Sequence, residues 1–299
     1  MSVLEEIGTA VATVADAVGT SIVGIGRDGR GSGVVTADGQ VLTNAHNLRG
    51  SEVTVTFADS RSTIGTVAAI DPDGDLAVVK VDTAGARPIA WEAGDAPKVG
   101  DAVFGVAATR GGGIRVTFGL VSSVERSFRG PGGRRIAGSV EHTAPLAPGS
   151  SGGALVDASG RLVGLNTNRI GEGFYLALPA DAALKTRVDA LGRGESAKRQ
   201  RLGVAIAPSH VARRLRRSVG LPEHDGILVR GVEESSAAAT AGVEVGDLIV
   251  SAGGREIRDA DDLQDALATL EAPYELGIVR GAEEQTLMVE KPGRTPGDA

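Results

Sequence analysis

Ser151 is the residue of this chain best suited to covalent chemistry. It lies in the segment PGSSGGAL, Pro148 to Leu155, between Gly149-Ser150 on one side and Gly152-Gly153 on the other. Glycines around one hydroxyl suggest a backbone that turns sharply and directs its N–H groups at a common point. A serine hydroxyl can attack a carbonyl carbon, and nearby N–H groups can stabilise the oxyanion that forms. A glycine-rich hairpin loop without chemistry explains the octapeptide alone equally well.

His46 and Asp75 lie upstream of Ser151 in the chain. They could supply the base that a serine nucleophile needs and the carboxylate that orients this base. His46 follows the strand-like run Gln40 to Thr43, and Asp75 ends the turn DPDGD before an alternating apolar segment. The order His46, Asp75, Ser151 is one of the recurring chain orders of the serine-protease triad. A lone histidine is more often structural, and an aspartate in DPDG is more often a turn residue. All three in this order, each at a predicted strand end, favour the catalytic interpretation.

The three segments that carry these residues resemble a known family. TNAHNL, DLAVVK and PGSSGGAL resemble the catalytic blocks of the trypsin-like proteases. They are most similar to the HtrA/Deg branch, with its patterns TNxHV, D-[IL]-A-[VL]-[LV]-K and GNSGGPL. The resemblance continues through VTFGLVSSVERS and RLVGLNT, and the C-terminal third resembles a PDZ domain. The departures are Asn47, Ser150 and Ala154; they remove no catalytic atom and leave only the shape of the substrate subsites open.

The resemblance implies an ATP-independent serine endopeptidase that hydrolyses peptide bonds of unfolded or damaged proteins. Ser151 would be the nucleophile, His46 the base and Asp75 its orienting acid, with backbone N–H groups of Gly149, Ser150 and Ser151 as the oxyanion hole. We expect no cofactor and no metal. The alternative is a catalytically silent or chaperone-like peptide-binding scaffold. An α/β-hydrolase esterase fits poorly, because its histidine would come last in the chain.

The segment between His142 and Ser150 should wall the primary specificity pocket. No acidic residue lies there, and an apolar pocket is therefore expected, with preference for small aliphatic side chains. His142 itself is a rival base by its closeness to Ser151 in sequence, but no carboxylate partner is evident and a structural role is favoured. The residues assigned to the pocket are Ala144, Pro145, Leu146, Asn166 and Thr167.

The composition excludes several kinds of site and partner. The chain has 299 residues with 44 glycines, only 3 % aromatics, no cysteine and a net charge of −7. The glycine content fits many short strands and tight turns. Without cysteine, a disulfide framework and a thiolate nucleophile are excluded. The acidic balance gives no reason to expect nucleic acid or an anionic membrane as a partner.

The N-terminus carries no recognisable export signal. Glu5 and Glu6 stand where a secretory signal would be basic, and no stretch approaches the roughly 20 apolar residues that cross a bilayer. These features predict a cytoplasmic protein, or a periplasmic or extracellular one if the N-terminus has been trimmed. The resemblance allows a homotrimer, but the chain has no aromatic residue before Phe57 to make the usual contact.

Hydrophobic patterning predicts a mainly β protein. Apolar residues at three- and four-residue spacing predict a helix over residues 3–18, and a second helix is expected over 180–191. Between them, two sets of six short strands separated by Gly/Asp turns indicate two antiparallel β-barrels, with His46 and Asp75 on the first and Ser151 on the second. The predicted strands are 21–26, 31–36, 40–44, 52–57, 63–70 and 76–81, then 101–108, 114–125, 135–143, 153–157, 161–167 and 173–178.

The predicted domains follow from these patterns. A trypsin-like protease domain is expected over 1–192, a polar linker over 193–200, an α+β PDZ domain over 201–291 and a tail over 292–299. Backbone N–H groups of Leu202, Gly203 and Val204 could bind a terminal carboxylate, while the following strand accepts a C-terminal peptide.

Two arginine-rich segments complete the sequence-based expectations. The loop Glu125 to Gly138 is predicted to be a mobile solvated hairpin; the resemblance implies instead a loop that senses PDZ occupancy. The helix-forming run Val211 to Gly220 carries four arginines and is predicted to expose them to solvent rather than to nucleic acid.

Overall fold

The structure is a computed structural model that describes residues 2–27, 29–92, 96–130, 135–169, 173–196, 202–222 and 224–290. The chain divides into two compact units, residues 1–197 and residues 198–299. The predicted tail and residues 197–200 of the predicted linker lie outside the described residues. Within the described part of the chain, no helix is long and apolar enough to span a membrane.

Helix α1, Val3–Val18, forms where the apolar spacing predicts it. Ser2 and Glu5 form a capping box in which each side chain accepts a hydrogen bond from the other residue's backbone N–H, so two otherwise unpaired donors are satisfied. Val14 and Val18 are buried in the core of the first unit. The helix is therefore an integral part of the first unit.

The first barrel is closed by six antiparallel strands in the order β1-β2-β3-β6-β5-β4. Alternate residues of these strands face two different cores. Val41 and Val79 pack inside the barrel, whereas Leu42 and Val78 pack in a larger cluster that also includes residues of α1 and of the second barrel. The strands are β1 Ile22–Ile25, β2 Gly31–Ala37, β3 Gln40–Thr43, β4 Glu52–Thr56, β5 Ser62–Asp71 and β6 Leu76–Lys80.

The second barrel repeats this closure in the order β10-β11-β12-β9-β8-β7. Its strands are β7 Ala102–Ala108, β8 Ile114–Arg129, β9 Arg135–His142, β10 Ala154–Val156, β11 Leu162–Arg169 and β12 Tyr175–Pro179. Strands β8 and β9 extend into the segment predicted to be a mobile hairpin, whose residues 131–134 lie outside the described ones. The double six-stranded barrel predicted from the strand pattern is confirmed.

Helix α2, Ala182–Gly192, completes the first unit. The Asp181 side chain accepts a hydrogen bond from the backbone N–H of Leu184 at 2.7 Å and so caps the helix. Leu184, Val188 and Leu191 are buried in the large core. This face of the helix therefore packs on the core, and the side chains between these positions face away from the core.

The C-terminal unit is an α+β domain with a sheet in the order β13-β14-β15-β17-β18 and with β16 paired to β15. Strand β13 is therefore at one edge of the sheet. Its strands are β13 Val204–Ala207, β14 Ile227–Val232, β15 Leu248–Ala252, β16 Arg255–Glu256, β17 Tyr274–Arg280 and β18 Glu283–Val289. Its helices are α3 Ser209–Ser218, α4 Ala237–Ala241 and α5 Ala260–Thr269.

Two features of this unit differ from the sequence-based expectation. The short helix α4 was not predicted, although Ser236 caps its N-terminus and Gly242 ends it with φ 83°. Helix α3 does not present all four of its arginines to solvent. Arg216 is buried and donates to the carbonyls of Pro222 and Gly281, which makes it a structural residue of this unit.

Candidate active site

His46 and Asp75 form a hydrogen-bonded pair at one end of the first barrel. His46 lies in a 3₁₀ turn, Ala45–Asn47, that follows β3, and Asp75 directly precedes β6. The His46 Nδ1 atom is 2.7 Å from Asp75 Oδ2, and the backbone N–H of His46 donates to Asp75 Oδ1 at 3.1 Å. Asp75 is 2 % exposed, so water does not compete for the carboxylate. The pair holds the imidazole with its Nε2 edge directed away from the acid.

Other buried groups hold Asp75 in place. The Asn44 amide nitrogen and the Ala45 N–H both donate to the Asp75 carbonyl oxygen, at 3.0 and 3.1 Å. The Thr167 hydroxyl donates to Asp75 Oδ2 at 3.2 Å and so joins the second barrel to the acid. Asp75 has φ 53°, a left-handed conformation that costs a non-glycine residue energy. These hydrogen bonds offset that cost.

The turn before Asp75 is anchored from α2. Asp71 is 6 % exposed, and its Oδ1 accepts hydrogen bonds from the backbone N–H groups of Asp73 at 3.1 Å and Gly74 at 2.9 Å. The other carboxylate oxygen of Asp71 is hydrogen-bonded to the guanidinium of Arg187, which lies on α2. This pair escapes local sequence reasoning, because its partners are 116 positions apart.

Ser151 lies in the loop before β10, next to the same residue that contacts Asp75. Its hydroxyl donates to the Thr167 carbonyl oxygen at 3.0 Å. Among the hydrogen bonds between described residues, none joins Ser151 to His46. His46 and Asp75 are therefore paired with each other, while the Ser151 hydroxyl is held by Thr167; catalytic hydrogen bonds are often completed only when substrate binds.

The loop around Ser151 has the conformation that the glycines suggested. Gly149 and Gly152 have φ of 89° and 84°, and a Cβ on Gly152 would lie 2.2 Å from the Ser32 carbonyl oxygen. The backbone N–H of Gly153 donates to the Ser150 carbonyl at 2.9 Å. Since the N–H and C=O of a trans peptide point in opposite directions, this bond turns the Ser151 N–H the other way.

His142 is not available as a base. It is fully buried, its Nε2 is 3.1 Å from the Asn166 amide oxygen, and its ring stacks on Tyr175 with centroids 5.9 Å apart. Burial lowers the pKa of His142 from 6.5 to about 4, against a smaller opposing effect of the Asn166 hydrogen bond. The Asn166 amide nitrogen in turn donates to the Ala154 carbonyl at 2.8 Å. His142 thus has the structural role that was favoured.

The predicted pocket residues differ in accessibility. Ala144, Asn166 and Thr167 are buried, Leu146 is half-buried and Pro145 is exposed. Both polar members of the set already have internal partners, described above.

The residues predicted to bind a carboxylate lie beside the edge strand of the C-terminal unit. Leu202 and Gly203 immediately precede β13, and Val204 is its first residue. The carbonyls of Leu202 and Gly203 accept hydrogen bonds from the N–H groups of Ala238 and Glu233, both at 2.8 Å. Gly203 has φ 80°, and a Cβ there would lie 2.2 Å from Ser236 Cβ. The loop is thus held closely against the start of α4.

The three departures from the family pattern are all buried. Asn47 is 1 % exposed, Ser150 is 4 % exposed and Ala154 is fully buried. The Asn47 amide nitrogen donates to the Ser151 carbonyl at 3.0 Å. The polar residues around it, Ser32, Thr43 and Asn44, were also missed by sequence reasoning; polar residues within apolar strand runs were the available signal.

Comparison with known proteins agrees with this geometry. Residues 31–165 match the family model "Trypsin-like peptidase domain", and residues 228–280 match the "PDZ domain" model. The chain is 35% identical over 280 residues to the putative serine protease HhoA of Synechocystis sp., covering 88% of this chain and 70% of that protein. It is 32% identical to HhoB of the same organism, covering 90% of this chain and 68% of the relative. This chain belongs to the HtrA/DegP family of serine proteases.

The other relatives carry the same family names. A probable periplasmic serine endoprotease DegP-like from Brucella suis is 33% identical over 255 residues, and the chain spans about half, 48%, of its length. The solved structure "HtrA-type protease AlgW with decapeptide" superposes with TM-score 0.77 at 25% identity, covering 96% of this chain and 99% of that one. This HtrA-family chain is accordingly a trypsin-like serine endopeptidase with a PDZ domain.

Proposed function

We propose that this endopeptidase cleaves peptide bonds with a triad of His46, Asp75 and Ser151 and without ATP. The observation that carries the proposal is the 2.7 Å pair of His46 and Asp75 beside Thr167, whose carbonyl receives the Ser151 hydroxyl. A buried acid holds the base, and a serine lies nearby in the loop before β10. Such an arrangement activates a hydroxyl for acyl transfer.

The reaction follows from these roles. The Ser151 hydroxyl leaves Thr167 and attacks the scissile carbonyl while His46 Nε2 takes its proton. Asp75 keeps the proton of His46 on Nδ1 and stabilises the imidazolium, which then protonates the leaving amine. Backbone N–H groups of Gly149 and Ser151 bind the oxyanion, and one such donor contributes about 3 kcal/mol to transition-state stabilisation. The Ser150 N–H, which was also predicted to take part, donates instead to the Ala147 carbonyl at 3.1 Å. Water then replaces the amine: His46 takes a proton from the water as it attacks the acyl carbonyl, and returns a proton to Ser151 Oγ as the carboxylic acid product leaves.

Replacement of the nucleophile tests the triad. We expect Ser151→Ala to lower kcat for casein or a peptide substrate by about 10⁴-fold or more. The matched control is Ser218→Ala, because Ser218 is an exposed serine of the C-terminal unit whose hydroxyl donates to the Leu215 carbonyl within its own helix. Casein hydrolysis that survives in purified Ser151→Ala would refute the assignment.

The proposed substrates are unfolded or damaged polypeptides with a small aliphatic residue on the acyl side of the cut bond. An apolar wall from Ala144 to Leu146, with no carboxylate in that segment, supports this preference. Mass-spectrometric mapping of cut sites in a denatured protein is the test. Cuts that fall mainly after Lys or Arg would contradict the proposal.

For the PDZ domain, proposed over residues 201–291, we propose C-terminal peptides as ligands. The free edge of β13 can accept a peptide as an added strand, and N–H groups of residues 202–204 can bind its terminal carboxylate. The relative AlgW was solved with a decapeptide, which is consistent with peptide binding in this family. Fluorescence polarisation should detect binding of a free-acid peptide library and much weaker binding of the same peptides as C-terminal amides. Equal affinity of the two forms would refute carboxylate recognition.

A second candidate function is a catalytically silent peptide-binding scaffold. The observation that favours it is the hydrogen bond from the Ser151 hydroxyl to the Thr167 carbonyl, because a hydroxyl held there is not bonded to His46. A fluorophosphonate probe separates the two, because only a serine that His46 can deprotonate becomes labelled. Labelling at Ser151 supports the protease, and the absence of labelling with and without C-terminal peptides supports the scaffold. A homotrimer and the compartment stay predictions, which light scattering and cell fractionation would test.

A further inference from the structure

A buried polar cluster of the first barrel lies directly against the Ser151 loop. Its members are Ser32 on β2, Thr43 at the end of β3 and Asn47 in the turn after His46. Ser32 and Thr43 are fully buried and Asn47 is 1 % exposed. Polar side chains are rarely buried to this degree unless hydrogen bonds satisfy them. The side chains of these three bond one another and the backbone of the loop, and the Ser32 hydroxyl also accepts from the Ala108 N–H at 3.1 Å.

The cluster holds the two carbonyls that flank the nucleophile. The Ser151 carbonyl accepts two hydrogen bonds, from the Ser32 N–H at 2.8 Å and from the Asn47 amide nitrogen at 3.0 Å. The Ser32 hydroxyl donates to the Gly149 carbonyl at 2.9 Å. Thr43 links the donors, because its hydroxyl donates to the Ser32 carbonyl at 2.7 Å and accepts from the Asn47 amide at 3.0 Å.

These bonds fix consecutive peptide planes. The Gly149 carbonyl fixes the plane before Ser150, and the Ser151 carbonyl fixes the plane after Ser151. The N–H of that second plane, which belongs to Gly152, also donates to the Asn166 carbonyl at 2.7 Å. The plane between them is held by the bond from Gly153 to the Ser150 carbonyl, at 2.9 Å. Because each peptide is rigid, the direction of the Ser151 N–H is set by this sequence of bonds.

The packing leaves the Asn47 amide no alternative position. A Cβ on Gly31 would lie 2.3 Å from the Asn47 amide group, and one on Gly152 would lie 3.0 Å from its nitrogen. The backbone of both barrels thus closes around this side chain. The HtrA/Deg pattern TNxHV has an apolar valine at the same place, which could not donate to Ser151.

We propose that Asn47 is a positioning residue that aligns the Ser151 N–H and the nucleophile with the substrate carbonyl. The inference rests on the proposed role of Ser151 as nucleophile and of its N–H in the oxyanion hole. Asn47 touches no substrate atom; it acts through the Ser151–Gly152 peptide. Its loss weakens transition-state binding and leaves substrate binding unchanged.

The test variant is Asn47→Leu, which keeps the shape of the side chain and removes its hydrogen bonds. The Ser151 carbonyl retains the Ser32 N–H, and the Thr43 hydroxyl retains its own acceptor, so no buried donor is left unpaired. The control is Thr83→Val, which removes a buried hydroxyl (1 % exposed) at the opposite end of β3. That hydroxyl bonds Asp38 at 2.7 Å and the Gly39 N–H at 3.1 Å, far from the loop.

The measurements are kcat and KM on a peptide substrate, the inhibition constant of a peptide boronate, and thermal stability of the full chain. For Asn47→Leu we expect kcat to fall about 10- to 100-fold with KM unchanged, and the boronate constant to rise by a similar factor, since displacement of catalytic groups by about 1 Å costs that much. Thr83→Val should lose stability and keep kcat.

Each other outcome has a definite meaning. Wild-type kcat in folded Asn47→Leu, a change in KM alone, or an equal loss of kcat in Thr83→Val would overturn the positioning role. The proposed function fails separately, if Ser151→Ala remains active. An inactive Ser151→Ala with a fully active Asn47→Leu would therefore leave the triad intact and remove only this inference.

Discussion

Asp71 anchors the turn that carries Asp75, and we predict that this residue, although outside the proposed triad, affects catalysis. Asp71 holds two backbone N–H groups of this turn and binds Arg187 on α2. We expect Asp71→Ala to loosen the turn, so that the left-handed Asp75 is no longer held against His46. Since the acid orients the base only in the correct geometry, kcat should fall about 10- to 100-fold, with KM unchanged.

The stability cost can be worked from the same contacts. Asp71→Ala leaves the N–H groups of Asp73 and Gly74 without their acceptor, at about 1–3 kcal/mol for a buried group and less for a half-buried one. Arg187 is 48% exposed, so the ion pair adds at most about 1 kcal/mol. The total is roughly 2–4 kcal/mol. Asp71→Asn, which keeps an acceptor for the turn and loses the ion pair, should cost only about 1 kcal/mol.

A second turn with the same chemistry provides the control. Asp157 Oδ1 accepts from the backbone N–H groups of Ser159 and Arg161, at 2.9 and 3.0 Å, and its Oδ2 accepts from Arg161 Nε at 3.0 Å. This turn follows β10 at the end away from Ser151. Asp157→Ala should lower the free energy of unfolding to a similar degree and leave kcat unchanged.

The assay combines urea unfolding with initial rates on a peptide substrate for both variants. The reasoning is refuted if Asp71→Ala retains wild-type kcat in its folded fraction. It is equally refuted if Asp157→Ala loses as much kcat as Asp71→Ala, because the effect would then be one of general destabilisation.

Three further predictions concern single groups. His142 has a pKa of about 4 in the folded state against 6.5 in the unfolded chain, so the unfolded chain binds more protons between these pH values. The free energy of unfolding should therefore fall by up to about 3 kcal/mol as the pH drops from 6.5 to 4. In urea unfolding, His142→Gln should lack this pH-dependent loss. Gly152→Ala should abolish fluorophosphonate labelling, because its Cβ would collide with the Ser32 carbonyl at 2.2 Å; normal labelling would show that the loop can shift. Arg280→Met should destabilise the C-terminal unit, because the 1 % exposed carboxylate of Asp247 would lose its two 2.8 Å bonds from the guanidinium and keep only that from the Glu244 N–H; unchanged thermal unfolding would contradict this.

Local patterning was sufficient for most elements. The apolar spacing of residues 3–18 predicts α1 to the residue, and the strands fall within a few positions of the predicted ranges. Departures arise where tertiary contacts extend or stop an element. Strand β8 continues to Arg129 because β9 pairs with it that far, with Arg129 opposite Arg135. The alanine-rich α4 depends on its cap residues, which carry little periodic signal.

The sequence was sufficient to propose the candidate residues of the site, but not to predict their hydrogen bonds. Residue type, glycine spacing and chain order singled out His46, Asp75 and Ser151, because those features follow from the chemistry of acyl transfer. Asn47, in contrast, stood out in the sequence only as a departure from the family pattern. Its side chain is turned inward to the Ser151 carbonyl, 104 positions away.

The sequence by itself determined most of the secondary structure, the two-barrel class and which side chains can do chemistry, since each depends on local periodicity or residue type. Only the tertiary structure decided which oxygen the Ser151 hydroxyl bonds and which donors hold its loop. It also decided that α2 anchors the turn of Asp75 through a residue 116 positions from its partner. Barrel closure and strand register bring these hydrogen-bond partners together, and no short segment of the chain specifies either feature.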